Sequence, residues 1–281
     1  MSELPLTAML IAEAPATADV SKDAIRAFYD QHIVDKVADF VDGNPRVDAA
    51  WDTIQQWAPP APRAILEVGC GFGQISWFLA TRWPDAQVAG FDISPRSIEL
   101  AGKVFQRDNL SFASGQVEAL DRTAGYDLIV LVDVYEHISV ADRPGFDASL
   151  GRLLATGGRL ILTVPTPAYQ RLLRASHPDR LQPVDEDIEV SVLQQLATAT
   201  QTRMLMFNER SIWTAGDYAH AALGRSATGG PIARVIPPAP RAIERARRKL
   251  RTLWRREAPG SREARLRLIE RSLGPDIYRP R

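Results

Sequence analysis

A single cysteine, Cys70, excludes a disulfide framework within the chain and a metal cluster built from thiolates. A reducing compartment, the cytoplasm, is the expectation. Long apolar runs are also missing, since none approaches the roughly 18 consecutive residues of a membrane span. The opening stretch MSELPLTAMLIAEAPATADV lacks the basic start of a secretory signal. Nor does charge of either sign predominate. Lys+Arg and Asp+Glu both total 34, so the whole chain offers no electrostatic reason to expect nucleic acid as a partner. A hydrophobic share of 45% and a charged share of 24% are ordinary for a globular protein, and 281 residues suffice for a sizeable core.

The balanced total conceals an uneven distribution. From Arg241 to Arg281 basic residues far outnumber acidic ones. Over 241–256, Ile243, Ala246, Leu250, Leu253 and Trp254 form one stripe, and Arg245, Arg248, Lys249, Arg251 and Arg255 occupy much of the remainder. Such a basic amphipathic helix suits peripheral contact with an anionic membrane surface through 241–256, or packing against its own domain or a second subunit. A short helix around 263–273 follows Pro259-Gly260. The expected plan is a helical cap over 1–59, an α/β domain over 60–236 and a basic helical tail over 237–281.

Helical spacing of Ile25, Phe28, Tyr29, Ile33, Val37 and Phe40 after the cap residue Ser21 predicts a first helix. A second begins at Asn44-Pro45, carries Val47, Ala50, Trp51, Ile54 and Trp57 on one face, and stops at Pro59, Pro60 and Pro62. Thereafter short apolar runs alternate with longer helical segments, the pattern of a mostly parallel, doubly wound Rossmann-like sheet with helices on both faces. Strands are expected over 64–68, 87–91, 110–114, 128–132, 159–164 and 204–208, with 232–236 as a candidate edge strand. Helices are expected near 75–82, 95–106, 146–154 and 192–199, and Gly157-Gly158 as the turn into the strand over 159–164.

Chemistry gathers where these strands end. Ile65-Leu66-Glu67-Val68 runs into Gly69-Cys70-Gly71-Phe72-Gly73 just before a helix, so a ligand can lie on bare backbone beside unpaired helix N–H groups. The dinucleotide fingerprint GxGxxG would need glycine at Gln74. The next strand ends at Asp92-Ile93, about 20 residues on, the spacing at which an acid reaches the ribose of a bound nucleoside. An adenosine-bearing ligand is implied. A further apolar strand delivers Val132-Asp133-Val134-Tyr135-Glu136-His137-Ile138 to the same edge.

These segments resemble the class I S-adenosylmethionine-dependent methyltransferases, and Val132 to Ile138 with Gly157-Gly158-Arg159-Leu160 resembles the ubiquinone-biosynthesis O-methyltransferase subgroup. The likeness spans roughly residues 64–167. It implies that Glu67, Gly69, Gly71 and Gly73 approach the methionine part of S-adenosylmethionine and that Asp92, with Ile93 beside it, holds the ribose. It further implies that Val132 and Asp133 line the reactive end. Where relatives place an aspartate near the adenine, this chain has Gly115-Gln116-Val117, so Gln116 and Val117 are the adenine-side candidates.

The acceptor is expected to be a small or carrier-linked metabolite offering a hydroxyl, such as a sugar, phenol or quinone precursor. His137 is then the candidate general base, with capping of its turn or packing under a loop as the alternative role. Tyr29 and His32 either close over the cofactor or pack within the first helix. Residues 175–187 form either a substrate lid or a solvated turn, and His177 with the nearby acids has no definite metal-ligand spacing. No metal is expected. Two other readings stay open, methylation of a small amine and a noncatalytic membrane or complex adaptor that keeps the cofactor fold.

Overall fold

The computed structural model describes residues 21–226 and 261–278. Helices α1 (Lys22–Asp42) and α2 (Pro45–Trp57) come first. Each begins where the sequence supplies an oxygen for the free N–H groups of a first turn. Ser21 accepts from the Ala24 N–H at 3.2 Å, and Asn44 accepts from Arg46 at 3.0 Å ahead of Pro45, whose fixed φ suits the first helical position.

The sheet follows as β1 (Ala64–Val68), α3 (Gln74–Arg82), β2 (Gln87–Asp92), α4 (Pro95–Val104), β3 (Leu110–Ser114), β4 (Tyr126–Val132), α5 (Arg143–Leu153) and β5 (Leu154–Pro165). Then come α6 (Pro167–Ser176), α7 (Val190–Ala199), β6 (Arg203–Arg210), β7 (Tyr218–Gly224) and α8 (Arg262–Leu273). The strand order is β3-β2-β1-β4-β5-β7-β6. Strands β1 to β5 pair in parallel, while β7 runs antiparallel to both β5 and β6. The result is the expected Rossmann-like, mostly parallel sheet.

Period-two alternation divides the strand side chains between two layers. Leu66, Ile129 and Leu162 face Leu150 of α5 and Leu193 of α7. Ile65, Leu128 and Val130 face Ile54 of α2 and Leu79 of α3. A third cluster joins Val37 and Phe40 of α1, Phe105 after α4 and Ile269 of α8. Burying Ile269 completely stabilises by roughly 1.5–3 kcal/mol over leaving it exposed. Arg265 donates to the Val41 carbonyl at 3.0 Å and Arg262 pairs with Asp42 at 2.8 Å, so α8 is fastened to the end of α1.

Sequence and structure differ in three places. Alanine-rich β7 gives little local strand signal, and its pairing comes from lying between β5 and β6. Helix α6 went unforeseen although Thr166-Pro167 signals a start, with the Thr166 hydroxyl accepting from the Tyr169 N–H at 3.4 Å. In addition, β5 begins at Leu154, so Gly157-Gly158 lie inside it at a register shift opposite β4. The candidate strand over 232–236 and the amphipathic stripe over 241–256 lie outside the described residues. Among the described residues no helix is long and apolar enough to cross a membrane.

Candidate active site

Strand β1 is buried along its whole length and pairs in parallel with β2 on one side and β4 on the other, the point where the strand order reverses. Open α/β sheets bind ligands in the crevice at the carboxyl ends of such strands. A cavity of about 260 Å³ opens there. Its floor is the turn after β1, where Gly69 has φ +69° and Gly71 φ +50°. A Cβ at Gly69 would collide with the Val134 side chain, so the two strand ends approach as closely as bare backbone allows.

Glu67, Gly69 and Gly71 all line this cavity. Gly73 does not. It is the residue before α3, at φ +85°, and a Cβ there would lie 2.7 Å from the Phe112 ring; its absent side chain lets α3 settle on β3. Asp92 turns back onto the glycine turn. Its Oδ2 accepts from the Gly71 N–H at 2.7 Å and its Oδ1 from Ser94 at 2.8 Å, which leaves each oxygen a further lone pair for a ligand hydroxyl. Burial nonetheless holds its carboxyl above the ordinary range. Ile93, Gln116 and Val117 continue the wall, and the Gln116 side-chain carbonyl accepts from Lys22 Nζ at 3.1 Å.

Glu67 is buried, and burial pushes its carboxyl up to about 8 although the Ser76 hydroxyl donates to it. A carboxyl so placed is poised to ionise against a cationic ligand group. Val132 and Asp133 also line the cavity. Asp133 has φ +53°, a conformation that asparagine and aspartate tolerate best among residues with a side chain. Thr163 donates to its Oδ1 at 3.1 Å, and Arg46 of α2 forms an ion pair with it. Burial works against the Arg46 charge, but Asp133 and Tyr218 outweigh it and hold the guanidinium protonated.

His137 sits on a single 3-10 turn, Tyr135–His137, and also lines the cavity. Its Nδ1 lies 2.7 Å from the Val184 carbonyl and 3.1 Å from Asp185 Oδ1. Burial alone would lower its pKa; Glu136, then Asp185 and the Val184 carbonyl, outweigh burial and raise it. Glu136 is driven up by burial, with His137 opposing.

Tyr29 belongs to the site rather than to helix packing alone, since it lines the cavity with its ring 6.4 Å from that of His137. His32 points elsewhere, stacked on Phe28 at 4.0 Å. The segment expected as a lid or solvated turn ends α6, makes a 3-10 turn at Pro178–Arg180 and then docks. Val184 and Ile188 are buried, and Glu186 N donates to the Glu136 carbonyl at 2.8 Å. His177 is exposed, while Asp187 pairs with Arg174 at 2.8 Å. Among the described residues no group of three or more His, Cys, Asp or Glu side chains is placed to hold a metal.

Sequence reasoning missed Arg46 and Asp185. Arg46 had a signal, because it shares the face of α2 that carries the buried Ala50 and Ile54, where an unpaired charge is rare. Asp185 had none, since its partner His137 is remote in sequence.

The fold is the Rossmann-like fold of solved S-adenosylmethionine-dependent methyltransferases. Residues 65–158 match the family model described as a methyltransferase domain. Malonyl-[acyl-carrier protein] O-methyltransferase of Acetivibrio thermocellus is 41% identical over 66 residues, which cover 24% of this chain and 23% of that one. Trans-aconitate 2-methyltransferase of Streptomyces coelicolor is 34% identical over 115 residues, 38% of this chain and 36% of that one. The chain thus spans well under half the length of these relatives. Among solved structures, N-methyltransferase NodS of Bradyrhizobium japonicum WM9, in complex with S-adenosyl-l-homocysteine, superposes with a TM-score of 0.57 at 19% identity. That match covers 70% of this chain and 98% of NodS. A methyltransferase from Anabaena variabilis gives 0.59 at 17% identity, covering 74% and 96%. At such identities the likeness speaks for the fold.

Proposed function

We propose that the chain transfers the methyl group of S-adenosylmethionine to an oxygen of a small or carrier-linked metabolite. The observation that carries this reading is the closed pair of Asp92 and the Gly69–Gly71 turn in one cavity that His137 also lines. Bound there, S-adenosylmethionine supplies a sulfonium methyl carbon open to in-line displacement. Asp92 fits the ribose hydroxyls, and Glu67 fits the ammonium of the methionine part. Arg46, the buried cation beside Asp133, fits its carboxylate. Gly69 and Gly71 present backbone with no side chain in the way.

At the acceptor end, alignment of the attacking oxygen contributes several kcal/mol, and a positioned base adds about 10²- to 10⁴-fold. The acceptor hydroxyl gives its proton to Nε2 of His137 as its oxygen forms the new bond to the methyl carbon and the carbon–sulfur bond breaks. Tyr29, whose phenol burial keeps neutral, walls this end. Three observations support an oxygen acceptor: His137 itself, the motif from Val132 to Ile138 that resembles the ubiquinone-biosynthesis subgroup, and a relative whose name specifies O-methylation of a carrier-linked malonyl group.

The test is a screen of hydroxyl, carboxyl and amine acceptors for a mass gain of one methyl, followed by His137→Ala on the best acceptor. Turnover is expected to fall at least about 10²-fold with cofactor affinity nearly unchanged. Methylation confined to amines would defeat the oxygen assignment, and full turnover in the variant would remove His137 as base.

A further inference from the structure

We propose that Asp185 is a positioning residue for His137, holding the imidazole with Nδ1 protonated so that Nε2 is left open for the acceptor proton. This rests on the reading of His137 as the base. The two residues meet because the segment after α6 docks on the turn at the end of β4. Glu186 N donates to the Glu136 carbonyl at 2.8 Å, and Val184 is buried there. A ring nitrogen that faces the Val184 carbonyl at 2.7 Å and Asp185 Oδ1 at 3.1 Å has acceptors on both sides and must carry the proton itself. The neutral ring then keeps its lone pair on Nε2, which lies 3.7 Å from Glu136 Oε1, beyond hydrogen-bond distance.

Asp185 is oriented independently of the histidine. Gln182 N donates to its Oδ2 at 2.6 Å, Gln170 Nε2 to its Oδ1 at 3.4 Å, and Arg174 Nη2 to its main-chain carbonyl at 2.7 Å. Its side chain is only 11% exposed. The other ionisable groups around His137 are poorer anions for this purpose. Glu136, on the same turn, is driven by burial toward its neutral form, although whatever charge it carries acts strongly on the ring. Asp133 at the end of β4 is paired with Arg46, and the Tyr29 phenol of α1 is neutral. That leaves Asp185 as the carboxylate in hydrogen-bond reach of the ring. A fixed carboxylate on the remote nitrogen of a catalytic histidine sets its tautomer and stabilises the imidazolium formed when a proton is taken.

The test compares the full chain with its Asp185→Asn variant, both labelled with ¹⁵N-histidine, with the His137 signals assigned by loss in His137→Gln. Asparagine keeps an oxygen for the Gln182 N–H but removes the carboxylate charge beside Nδ1. Wild type is expected to show Nδ1–H in the neutral ring and a midpoint above 6.5. In the variant the Val184 carbonyl still keeps the proton on Nδ1, and the midpoint is expected to be lower by about half a pH unit or more. An unchanged midpoint would overturn the proposal. Should Asp185→Asn lose its near-ultraviolet circular dichroism, Asp185→Ser, which also keeps an acceptor for Gln182, takes its place in the same titration. Calorimetry with S-adenosylmethionine on the same proteins reads the cofactor site separately. No heat with wild type defeats the methyltransferase reading, whereas heat with both proteins and an unmoved His137 titration defeats the role of Asp185 alone.

Discussion

Arg46 on α2 and Asp133 at the end of β4 form a buried ion pair in the wall of the cavity, with side-chain exposures of 17% and 7%. The pair joins the N-terminal helices to the sheet at the edge of that cavity. Breaking such a pair leaves one charge buried without its partner, which costs about 3–5 kcal/mol. Asp133→Ala and Arg46→Met are each expected to lower the urea midpoint by that equivalent, and the double variant by less than the sum. Strict additivity would show that the two charges do not depend on one another.

Glu67 makes stability depend on pH with a definite sign. Its carboxyl titrates near 8 when folded, against 4.5 for the free group. Between those values the folded chain holds a proton that the unfolded chain has released, so this group lowers stability as pH rises through the window. Glu67→Gln is expected to flatten the stability profile between pH 4.5 and 8, with a relative gain of about 4 kcal/mol at the upper end and none below the lower. Chemical denaturation across that range measures it, and parallel profiles would mean that Glu67 ionises freely.

A methyl group added at Gly69 would collide with Val134 while the backbone stays at φ +69°. Gly69→Ala is expected to weaken cofactor binding at least tenfold, because the turn must open and the left-handed conformation itself costs about 1–2 kcal/mol. Adding Val134→Ala removes the collision and is expected to restore part of the affinity. Equal affinity in Gly69→Ala and wild type would mean that no ligand depends on the shape of this turn.

Legibility in the sequence followed locality. The alternation of buried runs and helical stripes located β1 to β5 because a parallel sheet covered on both faces leaves little freedom in pattern, and β6 was located by its own apolar run. Alanine-rich β7 escaped because its pairing is supplied by neighbours remote in sequence. The glycine turn and Asp92 were readable as a spacing, and most of the cofactor-side residues line one cavity, with Gly73 diverted to packing against Phe112. The acceptor side was read less well. Tyr29 looked like one more member of an apolar stripe, and Asp185 reaches His137 only through the docking of a segment whose sequence resembles a solvated turn.

The most direct measurement is calorimetric titration of the full chain with S-adenosylmethionine, set beside its Asp92→Ala variant. Wild type is expected to bind with measurable heat, and the variant to lose at least tenfold in affinity, since a hydrogen bond to a charged group contributes about 1.5–3 kcal/mol. Heat of the same size and affinity from both proteins, or none from wild type, would contradict the assignment of the cavity between Gly69 and Asp92 to this donor.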